Sequence, residues 1–161
     1  MTSEGTAPKD VTIQRFDLMA STARSLIDAL NAELSHRYPE PGANHFRLDP
    51  EEVADGRGAF LVAARAGRLV GCGAVRRIEE RTGEIKRMFV SPEERGQGLG
   101  RAILAALEAE ARTLGIARLV LETGVRQPEA IALYRGAGFA EIAPFGDYIG
   151  SPLSVCMAKD L

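Results

Sequence analysis

The alternation of apolar and polar residues along the chain predicts an α/β protein. Apolar residues recur every three or four positions over residues 20–35 and 99–114, which is the spacing of a helix with one buried face. A shorter helix is predicted to begin at Pro128 and to end near Gly136. Apolar or alternating runs bounded by turn residues predict strands at residues 11–16, 59–65, 69–79, 84–90, 117–123 and 153–159, with another starting at Gly138-Phe139.

Local signals refine the ends and faces of these helices. Asp17 is the expected N-cap of the first helix, and Asp49-Pro50 followed by two glutamates predicts a short helix reaching Asp55. In the helix at residues 99–114, Glu108 and Arg112 stand four positions apart, so we expect them to pair on the solvent face.

The lengths of the connections predict how the strands pair. The strands at 59–65, 69–79 and 84–90 are joined by turns too short for a crossover, so they should form an antiparallel meander. The strand at 84–90, the helix at 99–114 and the strand at 117–123 form one βαβ unit, so its two strands should be parallel. The predicted fold is therefore a mixed, mostly antiparallel sheet with one parallel strand pair, flanked by helices.

Composition and charge narrow the class of protein. The 161 residues, 45% hydrophobic and 26% charged, suit one globular domain, which we expect at residues 11–161 after a disordered tail at residues 1–10. A net charge of −2 argues against nucleic-acid binding. No apolar run approaches 18 residues, so we expect no membrane span and a cytoplasmic protein. The two cysteines and two histidines match no metal-ligand spacing, and we expect Cys72 and Cys156 to be buried and no metal to bind.

The candidate chemistry is concentrated in residues 83–101, GEIKRMFVSPEERGQGLGR. A strand is followed by three glycines at alternate positions and then by the start of a long helix, which is how a chain builds a site for an anion. Glycines let backbone N–H groups approach phosphate oxygens, and Arg95 and Arg101 add positive charge. We expect this loop to hold a pyrophosphate group.

Two common phosphate-binding motifs do not fit the loop. A P-loop requires a lysine followed by serine or threonine, and neither pair occurs here. A Rossmann motif is closer, since Glu122 stands near the expected acidic position, but the glycines run GxGxG and residues 91–94 separate the strand from them.

Two blocks of sequence resemble the GNAT family of N-acetyltransferases. Arg95, Gly98 and Gly100 match the family's [Q/R]-x-x-G-x-[G/A] motif. Residues 127–139 resemble its N-x-x-A-x-x-L-Y-x-x-x-G-F block, with Gln127 where asparagine is common. The resemblance implies an acyl-CoA N-acyltransferase fold, acetyl-CoA (coenzyme A) as cofactor, and direct attack of an amine on the thioester in a ternary complex.

The resemblance also assigns residues to the cofactor. It implies that the two parallel strands splay apart, that pantetheine pairs with the first of them, and that the N–H of Phe89 or Val90 faces the thioester oxygen. The cofactor-binding residues expected are Met88, Phe89, Val90, Arg95, Gly96, Gln97, Gly98, Leu99, Gly100, Arg101, Gln127 and Tyr134.

Catalytic roles follow from the same resemblance. Tyr134 occupies the position of a general acid that protonates the leaving thiolate. Glu84 aligns with a catalytic glutamate of histone-type relatives, and Glu122, at the end of the neighbouring strand, is the alternative base. Either glutamate could instead form an ion pair with Lys86, Arg87 or Arg126. Strand alternation is expected to put Glu84, Lys86 and Met88 on one face and Ile85, Arg87 and Phe89 on the other.

Regions that vary in the family should bind the acetyl acceptor. The candidate substrate-binding residues are Tyr38, His45, Phe46, Arg87 and Tyr148. The leading function is acetylation of the primary amine of a small molecule or amino acid. The alternatives are a protein or peptide N-acetyltransferase and a non-catalytic acyl-CoA-binding module. Because homodimers are common among similar proteins, a homodimer is also an expectation.

Overall fold

A computed structural model describes residues 8–41, 43 and 48–161. Its strands are β1 (Val11–Arg15), β2 (Gly58–Arg65), β3 (Arg68–Glu79), β4 (Thr82–Val90), β5 (Arg118–Gly124), β6 (Ala140–Ile142) and β7 (Ser154–Asp160). Its α-helices are α1 (Ser21–Arg37), α2 (Leu99–Thr113) and α3 (Pro128–Gly136).

The strands form one mixed sheet in the order β1-β2-β3-β4-β5-β7-β6. The β2-β3-β4 meander is antiparallel, and β5 is parallel to β4, as the connections predicted. The fold class is therefore confirmed. No helix of the described residues is long and apolar enough to cross a membrane, and those residues contain no cluster of side chains that could hold a metal ion.

Two hydrophobic clusters, one on each face of the sheet, hold the helices in place. Leu99, Ile103 and Leu107 of α2 are fully buried against strand residues of the larger cluster, which include Ile85. On the other face, Leu26 and Leu30 of α1 pack with the smaller cluster, which includes Phe89. Burying each such side chain contributes about 1.5–3 kcal/mol to stability. Strand β4 thus lies between both helices, and residues on its two faces meet different helices.

The ends of two helices differ in detail from the sequence-based expectations. Asp17 does not cap α1, whose N-cap is Ala20. The Asp17 carboxylate instead accepts a hydrogen bond of 2.9 Å from the N–H of Met19, in the turn before the helix. The short helix at Pro50–Val53 is a 3₁₀ turn with Asp49 as its N-cap, and Asp49 and Glu52 form a capping box.

Glu108 does not lie on the solvent face. Only 7% of the residue is exposed, because β7 covers this side of α2, and Nζ of Lys159 lies 3.0 Å from both carboxylate oxygens. Arg112 is farther away, at 3.8 Å. The predicted pairing with Arg112 therefore exists as a long contact, but the principal partner of Glu108 comes from the closing strand.

The parallel strands diverge after four paired positions. The β4–β5 register runs from Thr82 opposite Arg118 to Ile85 opposite Leu121. Strand β4 then continues to Val90 with β3 on one side only, while β5 stays paired with β7 as far as Gly124. The predicted splay is confirmed, and it opens a cleft along the free edge of β4.

A β-bulge at Arg87 re-orients the second half of β4. Arg87 has a left-handed backbone, with φ of 57°, and the pairing with β3 shifts between Cys72 and Ala74. One extra residue on a strand exchanges the faces of everything beyond it. Met88 consequently packs with the α2-side cluster and Phe89 with the α1-side cluster. The predicted alternation is wrong from Arg87 onward.

Candidate active site

Two clefts meet where β4 and β5 diverge. The inner cleft is lined by Leu30, Leu34, Tyr38, Ala43, Ile85, Lys86, Arg87, Met88, Glu122, Thr123, Gly124, Gln127, Ala130, Tyr134, Tyr148 and Leu153. The outer cleft is lined by Leu30, Glu33, Met88, Phe89, Val90, Glu94, Arg95, Gly96, Gly98, Leu99, Gly100, Arg101, Gln127, Glu129, Ala130, Leu133 and Tyr134. Met88 and Tyr134 line both clefts, so the two clefts adjoin at these residues.

The three alternating glycines are required for two different reasons. Gly96 and Gly98 both have φ of 82°, a left-handed conformation that glycine adopts without strain. Gly98 is also the N-cap of α2. Gly100 lies within the helix, where an added Cβ would stand 3.3 Å from the side chain of Leu133 in α3. The first two glycines therefore shape the loop, and the third lets α3 approach it.

The outer cleft ends at the N-terminus of α2. The N–H groups in the first turn of a helix have no intrahelical acceptor, and the helix dipole places positive potential there. Leu99, Gly100 and Arg101 form that turn and line the cleft. An anionic group entering the outer cleft would meet these N–H groups.

The two predicted arginines shape the walls of the outer cleft. Arg95 donates hydrogen bonds of 2.9 Å to the carbonyl oxygen of Val90 and to the carboxylate of Glu33, which joins the end of β4 to α1. Arg101 donates to the carbonyl oxygen of Gly136, so it joins α2 to the end of α3.

Eleven of the twelve predicted cofactor residues line the outer cleft, and the exception is Gln97. The Oε1 atom of Gln97 accepts a hydrogen bond of 2.7 Å from Arg65, which directs the side chain away from the cleft. Gln127 lines both clefts and accepts a hydrogen bond of 3.1 Å from the N–H of Gly124. It thus fixes the turn between β5 and α3.

Tyr134 stands at the junction of the clefts. The residue is 6% exposed, and its ring packs edge-on against Phe139 with centroids 5.9 Å apart. Within the described part of the chain its hydroxyl group has no hydrogen-bond partner. Burial, and then the charge of Glu122, raise the pKa of Tyr134. The hydroxyl group therefore keeps its proton at neutral pH, and Tyr134 lines both clefts.

Glu122 is the carboxylate that lines the inner cleft with Tyr134. Its Oε2 atom accepts a hydrogen bond of 2.7 Å from the hydroxyl group of Ser154. Its charge contributes to the raised pKa values of Tyr38 and Tyr148, each of which is raised first by burial. Glu122 therefore lies among three tyrosines.

Glu84 lies behind the inner cleft rather than on its wall. The residue is 1% exposed, and it lines a neighbouring groove that shares Lys86 and Tyr148 with the inner cleft. Its Oε1 atom is 2.8 Å from a guanidinium nitrogen of Arg76, and its Oε2 atom accepts a hydrogen bond of 2.7 Å from Tyr148. Arg76 also pairs with Glu52. Sequence reasoning missed Arg76, which stands directly opposite Glu84 because the β3–β4 register shifts between Arg77 and Glu79.

Three of the predicted substrate-binding residues line the inner cleft: Tyr38, Arg87 and Tyr148. The hydroxyl group of Tyr38 accepts a hydrogen bond of 2.8 Å from the N–H of Arg126 and occupies the space that a side chain at Gly124 would fill. The other two predictions, His45 and Phe46, lie outside the described residues.

Two polar residues near Arg87 were not among the predicted site residues. A guanidinium nitrogen of Arg87 donates to Oδ1 of Asn31 on α1, and Lys86 lines the inner cleft beside it. Asn31 follows the apolar Ile27 by four positions, and this helical spacing predicts that Asn31 lies on the sheet-facing side of α1. Burial lowers the pKa values of both Lys86 and Arg87.

Most of the chain matches the sequence profile of a known protein family. A profile described as the Acetyltransferase (GNAT) family matches residues 23–139. An IAA acetyltransferase from Azospirillum brasilense is 46% identical over 153 residues, which cover 94% of this chain and 99% of that protein.

Solved structures share the same fold. A Klebsiella pneumoniae protein, provisionally named an acyl-CoA N-acyltransferase, superimposes with a TM-score of 0.80 at 38% identity, covering 94% of this chain and 97% of that one. A GNAT family acetyltransferase from Elizabethkingia anophelis, solved with acetyl-CoA bound, has a TM-score of 0.69 at 18% identity and covers 96% of this chain and 100% of its own. At that identity the second structure shows the fold alone.

Proposed function

The chain belongs to the GNAT family of acetyltransferases, and from that premise we propose that it acetylates an amine of a small molecule in a ternary complex with acetyl-CoA. The observation that carries the proposal is the divergence of β4 and β5 after Ile85 and Leu121. It joins the outer cleft, which ends at the N-terminus of α2, to the inner cleft, and Tyr134 lines both.

The residues present fit acetyl-CoA, the cofactor of the family. Gly96 and Gly98 hold the loop open, and the N–H groups at the start of α2 would bind the pyrophosphate. The free edge of β4 from Lys86 to Val90 offers backbone groups to pantetheine, as an added strand would use them. When bound, acetyl-CoA supplies a thioester carbonyl carbon for the amine to attack.

Glu122 would remove the proton from the amine. An alkyl amine with a pKa of about 10.4 is the free base in only about one molecule in 10³ at pH 7, so a base raises the reactive fraction. Glu122 lines the same cleft as Tyr134, whereas Glu84 lies behind Tyr148. We propose Glu122 as the base, and we retain Glu84 as the alternative, acting through the hydroxyl group of Tyr148.

Tyr134 would donate its hydroxyl proton to the leaving sulfur. Breaking the C–S bond as the N–C bond forms would leave negative charge on the departing sulfur, and the Tyr134 hydroxyl group would neutralise that charge by giving up its proton. The raised pKa of Tyr134 keeps that proton available at neutral pH. An N–H of Phe89 or Val90, beyond the bulge, would polarise the carbonyl oxygen.

The inner cleft favours a small acceptor over a basic peptide. Tyr38 and Tyr148 line it from two sides, and Lys86 and Arg87 place positive charge on its β4 wall. A groove that binds lysine-rich peptides would instead present mainly carboxylates. The cleft therefore supports acetylation of a protein or peptide less well than acetylation of a small molecule.

The test combines binding with turnover. We expect calorimetry to detect acetyl-CoA binding, and we expect a library of small amines to include acceptors that release free thiol from acetyl-CoA. Binding without turnover of any amine or peptide would support the non-catalytic acyl-CoA-binding module. The absence of binding would contradict the proposal as a whole.

A further inference from the structure

Two neighbouring cations line the inner cleft on its β4 wall. Strict alternation would put Lys86 and Arg87 on opposite faces of the strand. The bulge, with Arg87 at φ of 57°, breaks that alternation and brings both residues to the inner cleft. A left-handed backbone at a residue other than glycine is strained, and such strain is concentrated at functional sites.

Arg87 is held in a defined position within the cleft wall. It is 8% exposed, and it donates a hydrogen bond to the neutral amide of Asn31 on α1. Burial lowers its pKa, which reflects the cost of removing the guanidinium charge from water. An anion entering the inner cleft would offset this cost and would find a planar, oriented donor.

The carboxylates near the cleft are distributed unevenly. Glu122 belongs to the opposite wall, on β5, with Tyr134. Glu84 is engaged by Arg76 and Tyr148 and does not line the inner cleft. The described walls of the cleft therefore have a positive side on β4 and a negative side on β5.

We propose that the acetyl acceptor carries a carboxylate as well as an amine, and that Arg87 binds the carboxylate while the amine lies near Glu122 and Tyr134. The inference rests on the proposed function and narrows its substrate class to amino acids and their analogues. Guanidinium and carboxylate match in a two-pronged arrangement of hydrogen bonds, which fixes the orientation of the acceptor. Acceptors with several positive charges, such as polyamines, would meet like charge at Lys86 and Arg87 and should be disfavoured.

The first test compares matched acceptors. The standard amino acids and two ω-amino acids are assayed beside their carboxamides, which differ only in the missing anionic charge. We expect the best amino acid to have a kcat/KM at least about 30-fold above that of its carboxamide, because the carboxamide cannot form a charge-assisted pair with the Arg87 guanidinium group. Equal or better turnover of carboxamides or polyamines would overturn the proposal.

The second test assigns the preference to Arg87. In Arg87→Gln we expect kcat/KM for the amino acid to fall about 100-fold while the value for the carboxamide changes less than about threefold. Arg87→Lys keeps the charge without the planar donor, and it should recover only part of the loss. Arg112→Gln, an exposed position on α2, serves as the matched control and should leave both values unchanged. An equal fall for acid and carboxamide in Arg87→Gln would contradict the assignment.

A binding measurement separates this inference from the proposed function. Amino acids and their carboxamides are titrated by calorimetry into the protein loaded with coenzyme A. Binding of acids that is weakened about 100-fold in Arg87→Gln supports the carboxylate site even if no amine is acetylated. Turnover of amines without any preference for amino acids over their carboxamides would overturn the inference but would still support the proposed acetyltransferase function.

Discussion

The hydroxyl group of Tyr148 donates a hydrogen bond of 2.7 Å to Oε2 of Glu84, and it lies between that carboxylate and the inner cleft. Tyr148 lines the inner cleft, whereas Glu84 lines the neighbouring groove and not the inner cleft. Arg76 holds the other carboxylate oxygen at 2.8 Å. The hydrogen-bonded route from the inner cleft to Glu84 therefore runs through Tyr148, while Glu122 is reached directly.

This arrangement predicts different pH profiles for two glutamine variants. In Glu122→Gln we expect kcat/KM at pH 7 to fall about 100-fold, because no base remains to deprotonate the amine. The loss should shrink as the pH rises toward the pKa of the amine, about 10.4, where the free base becomes abundant. The measurement is the pH dependence of kcat/KM from pH 6 to pH 10.

Glu84→Gln is the matched control for that experiment. It keeps the shape of the side chain and disturbs the contacts with Arg76 and Tyr148, so we expect a less stable protein whose pH profile keeps the wild-type form. If the alkaline recovery occurs in Glu84→Gln and is absent from Glu122→Gln, Glu84 is the base and Tyr148 is its relay.

A second prediction concerns the stability that the Tyr148 hydroxyl group contributes. Tyr148→Phe leaves a buried carboxylate oxygen without its donor, so we expect the free energy of unfolding to fall by about 1–3 kcal/mol. Tyr38→Phe removes a hydroxyl group that accepts a hydrogen bond from the backbone N–H of Arg126, and it should cost about 0.5–1.5 kcal/mol. Urea denaturation of both variants measures the difference, and equal losses would argue against a charge-assisted bond at Glu84.

Much of the fold was predictable because its signals are local. Helix α3 begins and ends where its proline and glycine suggested, and the parallel β4–β5 pair follows from the handedness of a βαβ unit. Periodicity and turn chemistry are sufficient for such features.

The rest depended on contacts that the sequence does not display locally. The bulge at Arg87 has no glycine or proline to mark it, and it reverses the faces of Met88 and Phe89 in the cleft wall. Glu108 was expected to face solvent because its spacing with Arg112 is typical of a surface pair. Its principal partner, Lys159, is 51 residues away in the chain, so the burial of Glu108 follows only from where β7 closes the sheet.

A third prediction separates the effect of the glycine loop on protein stability from its effect on cofactor binding. Gly98 and Gly115 have φ values of 82° and 79°, and neither has an atom within 4 Å of an added Cβ. Alanine at either position should therefore destabilise the protein by a similar amount, about 1–2 kcal/mol. Only Gly98→Ala should raise the KM for acetyl-CoA, by about tenfold, because it displaces the N–H groups at the start of α2. An unchanged KM would place the pyrophosphate elsewhere.

A fourth prediction concerns the buried Glu108–Lys159 pair. In Lys159→Met the carboxylate of Glu108 loses its nearest cation, so we expect a loss of about 1–3 kcal/mol in unfolding free energy. Replacing both partners, with Glu108→Leu added, should recover most of that loss. Arg118→Gln, which breaks the exposed pair with Asp160, is the control and should cost less than about 1 kcal/mol. Thermal and urea denaturation provide the values, and no recovery in the double variant would contradict the argument.

The last prediction tests Tyr134 as the proton donor. Its ring packs against Phe139, while its hydroxyl group has no hydrogen-bond partner among the described residues. Tyr134→Phe should therefore leave stability within about 0.5 kcal/mol of the wild type, leave acetyl-CoA binding unchanged by calorimetry, and lower kcat about 100-fold. Because burial and then Glu122 raise its pKa above the usual 10.0, the wild-type enzyme should lose no activity through ionisation of Tyr134 below about pH 10. A variant whose kcat matches the wild type across this range would show that the sulfur takes its proton from another source.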